Sequence, residues 1–237
     1  WFCYGFYTSL ISAGGGLIDR AEYDAATGVL NGEASRRVLR AMQRWLRTDG
    51  YVDPNTDDAA FTGGRVALSW VGHWMYNSYR AALGDDLLVL PLPDFGAGMR
   101  APMGSWNWAI TGACQHPEAA MRWLAFLMED AQILAMTAGN GAVPATHSAI
   151  AAAGDYAPQQ PRRLFVEQLT GGYAVPRPRT PAYGVITDVF QAAFLDIANG
   201  ADVGRALDQA AQEIDRDLRA NAGYPFVEAA QPEPLHE

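Results

Sequence analysis

Apolar residues recur with the period of an α-helix in four segments of the chain. Residues 32–48 carry one apolar stripe, and Asn31 stands before them in a position suited to a helix cap. Pro117 fits the first turn of a second helix. A third helix stops at Gly200, and Asp202 is expected to cap a fourth. The residues predicted to face inward are Val38, Leu39, Met42, Trp45 and Leu46; Ala120, Trp123, Leu124, Leu127 and Met128; Ile186, Val189, Phe190, Ala193, Phe194 and Ile197; and Val203, Ala206, Leu207, Ala210, Ile214 and Leu218.

Alternating apolar and polar residues predict short strands between these helices. In residues 65–70, the side chains of Val66, Leu68 and Trp70 would share one face of a strand. Gly72 and Trp74 follow, and glycine permits close backbone approach while an indole offers a flat apolar face with one N–H. Such a ring suits the apolar face of a sugar, although a buried strand that ends in a core tryptophan is the plainer alternative. Dominant helices with short strands predict an α/β fold.

Several short motifs follow one another along the chain. They include a double-glycine turn, two glycine-rich strands, a Pro-X-Pro strand and an Arg-Pro-X-X-Pro-X-Tyr segment. In this order they resemble the extracellular solute-binding proteins of ABC importers, the family that includes maltose-binding and other sugar-binding proteins. The motifs occupy residues 14–19, 61–74, 87–93, 104–110, the helix from Pro117, residues 141–144, residues 177–183 and the last long helix.

The resemblance implies a periplasmic-binding-protein-like (type II) fold with two lobes. It assigns residues 1–98 to the second lobe, 99–139 to an excursion into the first lobe, and 140–224 to the second lobe again. Residues 225–237, with several prolines and glutamates, are expected to form a flexible tail. Most of the first lobe would be encoded upstream. The chain opens on Trp1 without a signal peptide, so we expect a fragment or a processed product.

The resemblance also implies where a ligand would bind. Trp74 and Trp106 are expected to stack on it, whereas Trp108 is assigned to core packing. Arg177 and Arg179 flank Pro178, which fixes where both guanidiniums point, and their paired donors suit vicinal hydroxyls or a carboxylate. Of the two, Arg177 is favoured. For His73 and Tyr183 a structural role is left open. The predicted ligand-binding residues are Trp74, Trp106, Gly104, Ser105, Arg177, Tyr183, Tyr7, Phe6, His73 and Arg179.

The function implied by the resemblance is that of the substrate-binding component of an ABC importer. A carbohydrate would enter an interlobe cleft, closure about residues 91–101 and 139–144 would enclose it, and a membrane permease would receive it. We expect a monomer outside the cytoplasm. The same fold could instead bind a non-sugar solute such as glycerol-3-phosphate or a polyamine, and a glycoside hydrolase or a non-transporting sensory domain is a further alternative. A hydrolase needs two facing carboxylates, and the motifs supply none.

Composition argues against several classes of function and of binding site. A net charge of −9 argues against nucleic-acid binding. The absence of lysine excludes Schiff-base chemistry and a Walker-type phosphate loop. The four histidines lack metal-ligand spacing, so neither a metal nor another cofactor is expected. Cys3 and Cys114 are isolated, and two buried thiols are favoured over a disulfide. The uncharged residues 131–154 contain glycine, proline and polar residues, which indicates a helix end and a loop.

Overall fold

The computed structural model describes residues 2–53, 57–104 and 106–225, and helices dominate it. The chain divides into two compact units: unit 1 contains residues 1–49 and 177–237, and unit 2 contains residues 50–176. The helices are α1 (Phe2–Ser12), α2 (Glu33–Arg47), α3 (Ala59–Thr62), α4 (Tyr76–Leu83), α5 (Pro117–Leu127), α6 (Asp130–Asn140), α7 (His147–Ala152), α8 (Arg163–Thr170), α9 (Tyr183–Ala198) and α10 (Val203–Ala220). The strands are β1 (Ala101–Met103) and β2 (Ala174–Pro176), and single turns of 3-10 helix cover His73–Met75, Gly84–Asp86 and Gly154–Tyr156.

In the described part of unit 1, three helices pack around a fourth, α9. Helices α1, α2 and α10 each pack against α9, and α2 also contacts α1 and α10. The helical period predicted this core: the inward residues assigned to α10 are all buried, and in α9 only Val189 is half-buried rather than buried. Phe190, Leu207 and Ile214 have at most 1% of their surface exposed. Burial of one continuous stripe per helix therefore holds unit 1 together.

Two helix caps in unit 1 test the predicted helix starts. Asp202 caps α10 as predicted, since its side chain accepts the backbone N–H of Arg205 at 2.8 Å. Asn31 was the wrong cap for α2, because Gly32 occupies that position. The Asn31 amide is engaged elsewhere: its oxygen accepts the N–H of Gly28 and its nitrogen donates to a carboxylate of α10. The polar side chain therefore joins α10 to the loop before α2.

Unit 2 consists of short helices, loops and one pair of strands. Strands β1 and β2 are parallel, with Ala101 opposite Ala174 and Met103 opposite Pro176. The N–H of Ala101 extends the pairing by donating to the carbonyl of Tyr173 at 2.9 Å. Helix α8 packs against both strands. The mixture of helices and strands agrees with the predicted α/β class.

Three predicted strands of unit 2 are absent from the described residues. Residues 65–70 and 87–93 are irregular, as are the described residues of 104–110, and α3 covers the start of the first motif. The physical reason is pairing: a strand needs a neighbour for its backbone N–H and C=O groups. Within the described ranges only β1 and β2 have such a neighbour. Alternation of side chains alone does not supply it.

Helix α5 begins at Pro117 as predicted, but the prediction that it buries an apolar stripe was wrong. None of its residues is buried, and Trp123 is 58% exposed. The Trp123 ring instead stacks on Phe126, with ring centroids 5.4 Å apart. Helix α5 packs against α6, and one short neighbour cannot cover its apolar face. The stripe therefore predicted the helix but not its burial.

The structure also bears on the predictions for the uncharged segment and the cysteines. Residues 131–154 form most of α6, a loop and α7, as the uncharged pattern predicted. No helix in the described ranges is both long and apolar enough to cross a membrane. Cys3 and Cys114 are free thiols, Cys3 buried and Cys114 half-buried. The predicted lobe boundaries stay predictions. All of the predicted tail except Pro225 lies outside the described residues.

Candidate functional site

The predicted ligand-binding residues fall into two groups, one in each unit. His73, Trp74, Arg177, Arg179 and Tyr183 come from loops or from the first turns of helices, where a scaffold can present them, whereas Phe6 and Tyr7 lie within α1. Unit 2 contains His73, Trp74, Gly104, Ser105 and Trp106, and unit 1 contains Phe6, Tyr7, Arg177, Arg179 and Tyr183.

Trp74 lies in the tight turn His73–Met75 that leads into α4. Its indole folds back across Gly72, because a methyl group added at Gly72 would overlap the six-membered ring. The Gly-X-Trp spacing predicted a close approach at the glycine, and the approaching group is the indole itself. Trp74 remains 37% exposed. The ring is therefore fixed against the backbone while part of it stays accessible to a ligand.

His73 packs against its neighbour's ring. The imidazole centroid lies 5.5 Å from that of Trp74, edge to face, and 5.8 Å from that of Phe165. Burial lowers the pKa of His73 from its usual 6.5, and the Arg162 charge acts in the same direction. The imidazole is therefore neutral near pH 7. In that state it offers one N–H donor and one acceptor beside the indole.

Arg162 organises the surroundings of this turn, and the sequence interpretation missed it. Nη1 donates to Oδ2 of Asp155 at 2.8 Å, and Nη2 donates to the carbonyl oxygen of Gly141 at 2.9 Å. The guanidinium carbon also lies 5.1 Å from the ring centroid of Tyr76 and 5.0 Å from that of Tyr156. Arg162 is 7% exposed. A buried arginine with these contacts fixes the path of the chain around it.

Gly141 connects Arg162 to the Trp74 turn. It ends α6 in the left-handed region, with φ +71°, which favours glycine. A Cβ atom at Gly141 would lie 3.4 Å from Nη2 of Arg162 and 3.5 Å from the carbonyl oxygen of Trp74. The Gly-X-X-Pro motif marked this position as a hinge, but no pattern pointed to an arginine two helices later. Only the tertiary structure brings the three residues together.

Trp106 and Trp108 lie in the irregular segment that follows β1. Trp106 is 96% exposed. Trp108 was assigned to core packing, and this was wrong: it is 55% exposed, because the segment has no covering element among the described residues of unit 2. Gly104 is exposed, and Ser105 lies outside the described residues. This segment therefore offers two accessible indoles.

Arg177 forms the centre of the group in unit 1. Its guanidinium carbon lies 4.7 Å from the ring centroid of Tyr4 on α1 and 5.9 Å from that of Tyr183, the first residue of α9. Both distances are those of cation–π contacts. Arg177 is exposed, whereas the two tyrosines are half-buried. We call these three residues the arginine clamp.

The three residues Arg177, Pro178 and Arg179 differ in exposure. Pro178 is buried, while Arg177 and Arg179 are both exposed. The proline therefore anchors the loop and turns the two arginines toward solvent. Arg179 has no aromatic ring beside its guanidinium among the described residues, so its position is less constrained than that of Arg177.

Two predicted contacts lie deeper in unit 1. Tyr7 is fully buried, so the expectation of direct ligand contact is corrected: its ring belongs to the helical core, where burial raises the pKa of the phenol. Phe6 is half-buried and lies 5.9 Å from the ring of Phe194. Cys3 is buried as well, and burial raises the pKa of its thiol to about 11. A thiol with that pKa is not a nucleophile near neutral pH.

Acidic and metal-binding chemistry has little support in the part of the chain that the structure describes. Within it, no three His, Cys, Asp or Glu residues are placed to hold a metal ion. Asp85 pairs with Arg80 at the surface. Asp130 accepts the hydroxyls of Thr146 and Ser148, at 2.9 and 2.8 Å. These carboxylates stabilise local structure.

Solved structures with the same fold include proteins named for the sugars they bind. The maltose/maltodextrin-binding domain MalE from Bdellovibrio bacteriovorus, bound to maltotriose, has a TM-score of 0.74 and 18% identity, covering 92% of this chain and 58% of that one. The cyclic alpha-maltosyl-1,6-maltose binding protein from Arthrobacter globiformis has a TM-score of 0.63 and 21% identity, covering 92% and 56%. An ABC substrate-binding protein from Listeria monocytogenes, in complex with cycloalternan, has a TM-score of 0.63 and 16% identity, covering 90% and 56%.

These likenesses confirm the predicted fold, that of a two-lobed periplasmic binding protein of which this chain is a part. The chain spans less than two thirds of the length of each of these relatives. A search of curated protein sequences gave no match. The family model for bacterial extracellular solute-binding proteins matches residues 3–161, which is more than half of the chain. The chain therefore belongs to the family of bacterial extracellular solute-binding proteins.

Proposed function

We propose that the protein is the substrate-binding component of an ABC importer and that its ligand is a carbohydrate. Membership of an extracellular family places it outside the cytoplasm. The observation that carries the choice of ligand is the accessibility of two indoles of unit 2, those of Trp74 and Trp106. An indole face matches the apolar C–H face of a sugar ring and leaves the sugar hydroxyls free for hydrogen bonds. The sugar ligands named for the structural relatives support the same choice.

The proposed role of each residue follows from its surroundings. Trp74, fixed across Gly72, stacks on a sugar ring and contributes about 1 kcal/mol of binding free energy. His73, neutral beside it, exchanges hydrogen bonds with hydroxyl groups. Trp106 provides a second apolar face. In unit 1, Arg177 and Tyr183 are separate candidates for polar contacts with a ligand. Arg179, Phe6, Gly104 and Ser105 remain secondary candidates.

The proposed mechanism is capture without a covalent step. The ligand binds one conformation of the protein more tightly, shifts the population toward it, and a membrane permease recognises that form. Residues 91–101 and 139–144 are the proposed hinges. The engaged states of Asp85 and Asp130 support binding over hydrolysis, because a glycosidase needs two carboxylates that face each other across the sugar.

Tryptophan fluorescence during titration with a panel of mono- and disaccharides tests this proposal. We expect a saturable change for at least one sugar. The Trp74→Ala variant should weaken its binding by at least about fivefold, since a lost stacking contact of about 1 kcal/mol corresponds to that factor. Trp123→Ala is the matched control: it removes an accessible indole on α5, 58% exposed against 37% for Trp74, and should leave the affinity unchanged.

A second variant separates the position of the indole from its presence. Gly72→Ala keeps Trp74 but places a methyl group where the six-membered ring lies, so the ring must move. We expect affinity to fall in Gly72→Ala as well. Flat traces for every saccharide, with a response to a non-sugar metabolite, would overturn the carbohydrate assignment in favour of another solute.

A further inference from the structure

We propose that the arginine clamp binds a carboxylate of the ligand, so that the ligand is an acidic saccharide, one that contains a uronic acid. This inference rests on the proposed function, because it names the class of saccharide. It starts from the geometry of Arg177. Its guanidinium carbon is 4.7 Å from the ring centroid of Tyr4 and 5.9 Å from that of Tyr183. A long side chain held by two rings loses less entropy when a ligand binds it.

The hydrogen-bond donors of Arg177 have no partner among the described residues. Among residues 2–53, 57–104 and 106–225, no hydrogen bond or ion pair involves its guanidinium. Many other arginines have a carboxylate partner, for example Arg36 with Asp208 at 2.6 Å and Arg65 with Asp53 at 2.8 Å. A cation–π contact uses the charge of a guanidinium and leaves its five N–H donors available.

Among the described residues, no carboxylate contributes to the pKa shifts of Tyr4, Tyr7 or Tyr183, so the local charge around the arginine clamp is positive. Burial raises the pKa of Tyr4, and the Arg177 charge opposes that effect. Burial likewise raises the pKa of Tyr7, and the two cations that oppose it are Arg20 and Arg177. For Tyr183 the opposing cation is again Arg177, and the first turn of α9 contains no acidic residue. This patch is positive in a chain whose net charge is −9.

A carboxylate is the group that these features suit. A planar guanidinium donates two parallel hydrogen bonds to a carboxylate, and charge makes both stronger than bonds to neutral hydroxyls. The flanking tyrosine rings offer apolar surface to the sugar that carries the carboxylate. A polyamine is disfavoured by the same charge. Phosphate is an alternative source of negative charge, and the experiment distinguishes the two.

Calorimetric titration of the protein with matched ligands tests the inference. The ligands are neutral hexoses and hexose disaccharides, the corresponding hexuronates and hexuronate disaccharides, hexose 6-phosphates, and acetate. We expect an acidic saccharide to bind at least about tenfold more tightly than its neutral counterpart. The Arg177→Gln variant should remove most of this preference, because it weakens the binding of the acidic saccharide more than that of its neutral counterpart. Arg177→Lys, which keeps the charge but not the planar fork, should lose part of the preference.

Arg205→Gln is the matched control, because it removes the same charge from an exposed arginine of unit 1 that has no aromatic ring beside its guanidinium among the described residues. It should keep the preference for the acidic saccharide. Because Arg177 is exposed, the variants should retain the helical circular dichroism and the melting temperature of the parent. An equal or higher affinity for the neutral sugar, or a preference that survives Arg177→Gln, would overturn the carboxylate subsite while leaving the carbohydrate proposal intact.

Two further outcomes would reject either the carboxylate as the recognised group or the proposed function itself. A preference for the hexose phosphate that Arg177→Gln abolishes would overturn the carboxylate as the recognised group and assign the clamp to phosphate. Binding of acetate with no binding of any saccharide would instead overturn the proposed function, on which the inference depends.

Discussion

The two units hold their candidate residues in place by different physical means. In unit 1, Arg177 is held by rings of α1 and α9, two helices whose apolar stripes are buried in a common core. In unit 2, Trp74 rests on a glycine and a loop that Arg162 secures through one carbonyl, one carboxylate and two rings. A hydrophobic core can therefore position a binding residue from a distance, whereas a loop-rich region needs a local polar anchor.

The exposure of apolar side chains marks the same contrast. Phe190 and Leu207 of unit 1 are at most 1% exposed, while Leu68, Leu88 and Trp123 of unit 2 are at least 58% exposed. The packed helices of unit 1 cover one another's apolar stripes, whereas α5 of unit 2 leaves its stripe exposed. An irregular segment without a strand partner leaves half of its side chains uncovered.

Truncation of a core ring in unit 1 should have the largest effect. Phe190→Ala creates a cavity in the helical core and should lower the free energy of unfolding by about 3–5 kcal/mol. Urea unfolding followed by far-UV circular dichroism measures it, since unit 1 contains the two longest helices. Trp123→Ala, at an exposed position of unit 2, should change it by less than about 0.5 kcal/mol. Similar losses in both variants would contradict the contrast between the units.

Removal of the polar anchor in unit 2 should have an intermediate effect. Arg162→Met keeps an unbranched side chain between Tyr76 and Tyr156 but removes the bonds to Gly141 and Asp155. We expect a loss of about 1.5–3 kcal/mol in the unfolding of unit 2, the range for hydrogen bonds of charged groups in buried positions. Tryptophan fluorescence reports it, because most of the tryptophans lie in residues 50–176.

Two further readouts sharpen the Arg162→Met experiment. The pKa of His73 should rise, because the variant removes a positive charge that lowers it. Proton NMR of the imidazole measures this change. Arg163→Met is the matched control: Arg163 makes a partly exposed pair with Glu167 at 3.4 Å, and its loss should cost less than about 0.5 kcal/mol. An unchanged His73 pKa in Arg162→Met would show that the two groups do not interact.

The pH dependence of unit 2 should give the smallest effect. Because the folded protein lowers the pKa of His73, the unfolded chain takes up the proton first as the pH falls. The stability associated with neutral His73 is therefore present above about pH 6.5 and is lost as the pH falls from there toward the folded-state pKa. His73→Gln should flatten this part of the curve of melting temperature against pH. A parent and a variant with parallel curves between pH 7 and 5 would disprove it.

Sequence reasoning identified the helical core and the family, for reasons visible in particular residues. The inward positions of α10 recur every three or four residues, and Asp202 caps the helix through a local hydrogen bond. Such interactions lie within one or two turns of chain, so a sequence displays them directly. The same holds for Gly72 and Trp74, whose contact joins residues two positions apart.

Long-range partners were decided only by the tertiary structure. Asn31 became a contact of α10 rather than a helix cap, and Tyr7 entered the core rather than a binding surface. The predicted strand at residues 65–70 lacked a neighbour, and Arg162 met Gly141 across 21 positions. Local periodicity fixes what a segment can form. The distant groups that pair with its donors and charges, or cover its apolar face, depend on the tertiary fold.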